Sequence, residues 1–169
     1  MQGMKVFISN TNLIASEPER YAEMLSPRQR KRALKYTDET QKLQFILGRL
    51  MAKYSGKKYT SISACDNVVV VAAASNARVG IDMENANLEY EYRDDNPRIR
   101  LPQPRNKKEV LRNYTFTKSI YRLGTFAHCR QFMRCRNYVI CVTSNRWFGM
   151  PYLRRFHPDS IFRTDNKKH

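Results

Sequence analysis

Two carboxylates, Asp82 and Glu84, stand two positions apart in the segment Val79-Gly80-Ile81-Asp82-Met83-Glu84. Side chains alternate along an extended strand, so this spacing projects both acids from one side and Met83 from the other. Such neighbours repel unless a cation or a proton sits between them. Oxygen-only donors of this kind suit Mg²⁺, which keeps several waters and takes further oxygens from a substrate phosphate. The spacing equally fits two solvated acids at a strand end, so the surrounding elements have to decide.

Those elements can be read in chain order. Val6 and Ile8 on one face and Phe7 on the other mark a first strand. Ser26 caps a helix that begins at Pro27, where the missing N–H costs nothing, and that carries Arg28, Arg30, Lys31, Arg32 and Lys35. Thr37-Asp38 offers a fresh cap for a second helix. Leu43, Ile46, Leu47, Leu50, Met51 and Tyr54 then recur at helical steps as a core-facing stripe, and Gly56 ends it. Ser61-Ile62-Ser63 and the valine run from Val68 read as strands, and Ser75-Asn76-Ala77 turns into the strand that bears the two acids. Residues 85–108, with Pro97, Pro102 and Pro104, show no apolar period and read as a mobile loop or linker. A helix from Val110 to Leu123 follows, then a strand from Tyr138 to Thr143. The tail from residue 146 is basic and aromatic, a strand followed by a frayed end. No repeat of fixed period is evident.

The run Ser-Ile-Ser-Ala-Cys, a valine-rich strand, a turn and Val-Gly-Ile-Asp-Met-Glu resembles the signature of the 4'-phosphopantetheinyl transferase superfamily. So do the basic helix Ser26–Tyr36 with the amphipathic helix after it, Tyr114–Gly124 against the family's W-x-x-K-E-A-x-x-K-x-x-G helix, and the closing strand Tyr138–Thr143. The resemblance spans roughly residues 1–145. It implies an α+β fold, a pseudo-two-fold pair of α/β halves, each a small antiparallel sheet with a long helix. The first half covers about 1–84 and a trimmed second half about 109–145, joined by the loop 85–108 and followed by the basic tail 146–169.

The resemblance also implies an activity, the Mg²⁺-dependent transfer of 4'-phosphopantetheine from coenzyme A to a serine of an acyl or peptidyl carrier protein. Asp82 and Glu84 match the family's metal-binding acids. Arg28, Arg32 and Lys42 fall on the basic and amphipathic helices that meet the coenzyme A phosphates, and Ser63 lies in the strand segment beside it. Arg122 matches a lysine that faces the pyrophosphate. Lys118 falls where the family carries a glutamate, its third metal ligand or the base for the carrier serine. A lysine there reverses the charge and could itself neutralise Asp82 and Glu84, displacing the ion. A catalytically degenerate relative that binds coenzyme A or a carrier protein without turnover is therefore the alternative.

Charge frames the partners. Lys and Arg number 31 against 15 acids, a formal +16, which suits a polyanionic partner. An acidic carrier protein fits, and nucleic acid is the second alternative. No window approaches the ~18 apolar residues of a membrane span, and no leader is evident, so no membrane and a cytoplasmic location are expected. Cys65, Cys129, Cys135 and Cys141 form no C-x-x-C pair and read as small buried hydrophobes. His128, His157 and His169 lack metal spacing. Interleaved bases and aromatics at Arg130–Arg136 and around Trp147, Phe148 and Tyr152 fit a solvated basic face or a single-stranded nucleic acid site. For the second group, an apolar seat for a carrier protein also fits.

Overall fold

Each half of the chain runs strand, long helix, hairpin. In the computed structural model, which describes residues 3–90, 101 and 103–161, the first half comprises β1 (Lys5–Asn10), the short helices α1 (Pro18–Glu23) and α2 (Pro27–Ala33), the long α3 (Glu39–Ser55), and the hairpin β2 (Tyr59–Cys65) and β3 (Val68–Ala74). The second half comprises β4 (Val79–Asn85), α4 (Lys107–Leu123), and the hairpin β5 (Cys129–Cys135) and β6 (Tyr138–Ser144). A last strand, β7 (Leu153–Arg155), follows. The sheets run β2-β3-β1-β7 and β4-β6-β5, antiparallel except where β7 lies parallel to β1. The expected α+β fold of two small sheets, each with a long helix, is present.

Local chemistry sets the helix ends. The Ser26 side chain accepts the Gln29 N–H, the Gln29 side chain answers on the Ser26 N–H, and Pro27 takes the first helical position. Asp38 caps α3 by accepting the Gln41 N–H at 2.8 Å, and Asn106 caps α4 by accepting that of Glu109 at 3.0 Å. Both long helices stop at a glycine in the left-handed region, Gly56 at φ 60° and Gly124 at φ 70°.

Two expectations need correction. β4 does not close the first half: it pairs with β6 and founds the second sheet, because the turn at residues 75–77 sends the chain away from β3. α4 starts at Lys107, three residues before Val110, since Asn106 supplies the cap and its first turn is polar. The expected pairing of halves shows in the two hairpins, which stand seventy positions apart, Tyr59–Cys65 against Cys129–Cys135, and whose turns place Asp66 and Arg136 in the same positive-φ conformation, 51° and 52°. The two halves share geometry and not residue types. Of the loop 85–108, Asn85 is in β4 and Lys107 and Lys108 are in α4; residues 91–100 and 102 lie outside the described residues, as does 162–169 of the tail.

The layers stack as helix, sheet, sheet, helix. Phe7, Val69, Val71 and Ala73 face α3 through Leu43, Ile46, Leu47, Leu50 and Met51 in one cluster. The other face of the first sheet (Val6, Val70, Ala72) packs on Ile81, Met83, Ile140 and Val142 of the second. At the seam, β2 and β4 run alongside each other. The free edge of β4 is not left bare: the Ile81 N–H donates to Ser61 Oγ at 3.1 Å and the Met83 N–H to Ser63 Oγ at 3.2 Å. Two serines with the strand's own period of two thus stand in for a missing neighbour and satisfy buried donors.

Candidate functional site

The acid pair lies beneath α4, and a glycine brings the helix there. A Cβ on Gly80 would come within 2.0 Å of the Ser119 carbonyl oxygen and 2.9 Å of the Leu123 nitrogen, so only hydrogen allows helix backbone to rest on strand backbone. The approach carries Lys118 and Arg122, one helical turn apart, over Asp82 and Glu84. The two acids do share a side of β4, and both are buried, Asp82 at 0 % exposure and Glu84 at 8 %.

Four charges close on one another there. Lys118 Nζ meets Glu84 Oε1 at 2.5 Å and stands 4.0 Å from Asp82 Oδ2. The Arg122 guanidinium reaches Asp82 Oδ1 at 3.0 Å and also donates to the Ile62 carbonyl on β2. The Ser63 hydroxyl donates to Asp82 Oδ1 at 3.1 Å while accepting the Met83 N–H. Asp82 Oδ2 is buried without a hydrogen-bond partner. Burial is the largest influence on Asp82 and raises its carboxyl; Lys118 and Arg122 pull it back, Glu84 pushes it up, and the balance stands at about 7. Burial works against the Lys118 ammonium, but the Glu84 hydrogen bond and the charge of Asp82 outweigh it and hold its pKa above the ordinary lysine value. The Tyr114 ring, 5.0 Å from Lys118 Nζ, adds a cation–π contact.

In this arrangement two protein cations answer the acid pair. Asp82 and Glu84 supply two carboxylates, and no cluster of three or more metal-binding side chains occurs among the described residues. Lys118, the charge-reversed position, lies against both acids where an ion would have to sit, and Arg122 takes a further carboxylate oxygen. The expectation of Asp82 and Glu84 as metal ligands therefore meets an arrangement in which two protein cations already balance them.

Of the sequence-derived site residues, Asp82, Glu84, Lys118, Arg122 and Ser63 converge. Arg28, Arg32 and Lys42 do not join them. Arg32 lies over the Phe45 ring at 5.4 Å, Lys42 pairs with Glu39 at 3.5 Å, and Arg28 is exposed on α2. A second polar cluster went unread in the sequence. The Asp66 carbonyl accepts from Gln44 at 2.6 Å, and its carboxylate accepts from Asn85 and Tyr138, each at 3.0 Å, tying α3, β4 and β6 together at the hairpin tip. The Asp66-Asn67 turn was its signal. A hollow of about 880 Å³, bordered by Leu88, Tyr90, Leu111, Phe132 and Met133, lies beside the first turns of α4 and not over the acid pair. No helix among the described residues is long and apolar enough to cross a membrane. All four cysteines are free, Cys129 and Cys141 buried and Cys65 and Cys135 partly so.

No protein-family model matches the chain, and no curated protein matches it.

Proposed function

We propose that this chain uses a phosphopantetheinyl-transferase-like architecture to bind coenzyme A without turning it over. One observation carries the reading: the Lys118 ammonium stands against both acids at the position where the resembling family has a third acid. Lys118 and Arg122 remain about one-third exposed on the open side of the seam, so their outer faces are available to the phosphates of an anionic ligand. The carrier protein is the other ligand of this reading, suited to a +16 chain.

Titration of the protein with coenzyme A in the presence of a chelator tests it. A rise in melting temperature at micromolar ligand, unchanged by added Mg²⁺, together with no phosphopantetheine mass gain on an acidic carrier protein, is the expected result. No stabilisation at millimolar coenzyme A would overturn it.

The active, Mg²⁺-dependent transferase is the second reading, favoured by the common face of the two acids and by the unpartnered Asp82 Oδ2. It requires Lys118 to swing away from both. Its mark is a metal-dependent mass gain on the carrier that is lost in Asp82→Ala.

A further inference from the structure

Strand directions gather one kind of surface at one end of the molecule. β2 starts opposite the end of β3, which lies beside the start of β1, and β7 begins alongside β1. In the second sheet, the start of β4 meets the end of β6 and the start of β5. The serine bonds that join β2 to β4 in register place both starts together. Five segments distant in sequence, residues 3–5, 56–59, 75–79, 124–130 and 145–152, therefore share this end, and none contains an Asp or Glu. Acids collect at the opposite end, where Asp66 bonds to α3 and β4, and Glu89 and Glu109 flank the start of α4.

The acid-free end carries Lys5, Lys57, Lys58, Arg78, Arg130 and Arg146. None of the six forms an ion pair among the described residues, and with no acid in the five segments none has a neighbour there to pair with. Between them stand aromatic rings turned to solvent: Trp147 at 81 % exposure, Tyr152 at 80 % and Phe126 at 77 %. Rings this open bury almost nothing in the fold itself. A protein-binding surface concentrates its apolar anchors in a core depleted of lysine. Here bases and rings alternate instead, Lys58 beside Tyr59 and Arg146 beside Trp147. That alternation matches a polymer offering a phosphate and an unstacked base at each step.

We propose that this end of the molecule is a binding surface for single-stranded nucleic acid. Lys57, Lys58, Arg78 and Arg146 follow the phosphates, and Trp147, Tyr152 and Phe126 stack the bases. The site is separate from the acid pair and independent of coenzyme A binding.

Fluorescence anisotropy of the full chain with a labelled oligothymidylate of about 15 nucleotides, and with the same strand in a duplex, tests the surface. The expected results are tighter binding to the single strand, an affinity that falls by roughly 0.7 log units per log unit of salt for each phosphate engaged, and about a tenfold loss in Trp147→Ala. Arg146→Ala should weaken binding and flatten the salt slope. Lys31→Ala, which removes one charge from α2 at the same net cost, should have little effect. Equal affinity for the duplex, an unchanged Trp147→Ala, or an equal loss in Lys31→Ala would reduce the surface to bulk charge and overturn the proposal. Tighter, Trp147-dependent binding of an acidic carrier protein than of the oligonucleotide would overturn it in favour of protein docking. Circular dichroism of Trp147→Ala, whose side chain is exposed, separates lost stacking from lost folding.

Discussion

The two halves of this chain seat a long helix on a sheet in the same way and fill the seat with opposite chemistry. Strand partners define the equivalence: Phe7 faces Val71 and Asp82 faces Cys141, at matching places in hairpins seventy positions apart. α3 and α4 both have 17 residues, so Tyr54 corresponds to Arg122 and Leu50 to Lys118. In the first half Phe7 and Tyr54 meet edge to face, ring centroids 6.0 Å apart. In the second half the same two places hold Asp82 and Arg122 in an ion pair at 3.0 Å. Leu50 is wholly buried, whereas Lys118 keeps part of its surface in water. One backbone plan thus yields a half with an apolar seat for its helix and a half with a buried, charged one.

The halves also differ in which partner yields space, and this difference gives the largest expected effect. In the second half the strand supplies the glycine. Gly80→Ala drives a Cβ into helix backbone at 2.0 Å, with no flexible side chain to give way, and should destabilise the protein by about 4 kcal/mol or prevent its folding. In the first half the helix supplies it. A Cβ on Gly48 meets the Ile62 side chain at 2.7 Å, and a rotamer change there, helped by alanine's better helix propensity, should hold the loss near 1 kcal/mol. Urea denaturation of both variants ranks them; equal losses would mean that α4 does not rest on β4 as closely as described.

Buried charge should make only the second half sensitive to pH. The Asp82 carboxyl is raised from its ordinary range to about 7, so between about pH 4 and 7 the folded protein holds a proton that the unfolded chain has released. Its contribution is complete at the acid end of that window, declines as pH rises through it, and levels off above about 7, a span of roughly 4 kcal/mol. Other carboxylates add their own slopes, so the readout is the difference from Asp82→Asn, in which this component should vanish. A wild type and an Asp82→Asn variant with parallel stability profiles from pH 4.5 to 8 would leave Asp82 ionised throughout.

Lys118→Met sharpens the same contrast. It removes the cation that answers Glu84 and leaves Arg122 alone beside Asp82, an expected loss of about 2 kcal/mol at pH 8, discounted for the partial exposure of the lysine. The loss should shrink toward pH 5 as Asp82 takes up its proton. Leu50→Met, its counterpart in α3, swaps one apolar side chain for another of similar volume and should cost less than about 1.5 kcal/mol without pH dependence.

Much of the first half was readable because its signals are local. Ser26-Pro27, Asp38, Gly56 and the stripe from Leu43 to Met51 each act within a few residues of chain and formed where expected, whereas Tyr54, the last residue of that stripe, is left 39 % exposed. The strand spacing of Asp82 and Glu84 likewise placed both acids on one side. What the sequence withheld depends on contacts between distant segments. The membership of β4 in the second sheet follows from its pairing with β6, some sixty residues on. The Asp66 cluster needs three elements to meet. Lys118 could be placed opposite the acids by its position in a motif, but only the packing of α4 on β4 shows that it reaches Glu84. The acid-free end is built from five short segments, none of them conspicuous alone.

The smallest expected effect lies where the halves agree, at the caps of their long helices. Asp38 and Asn106 each accept the backbone N–H three residues on, at 2.8 and 3.0 Å, from exposed positions. Replacing either by alanine should cost about 1 kcal/mol. Asp38→Ala should cost a few tenths more, because a full negative charge at a helix N-terminus also interacts with the macrodipole, and that excess should fade in high salt while the Asn106→Ala loss does not. Denaturation at low and high ionic strength separates the two contributions. If Asn106→Ala is neutral while Asp38→Ala is not, the first turn of α4 is held by contacts other than its cap, and the likeness between the halves stops at the helix interiors.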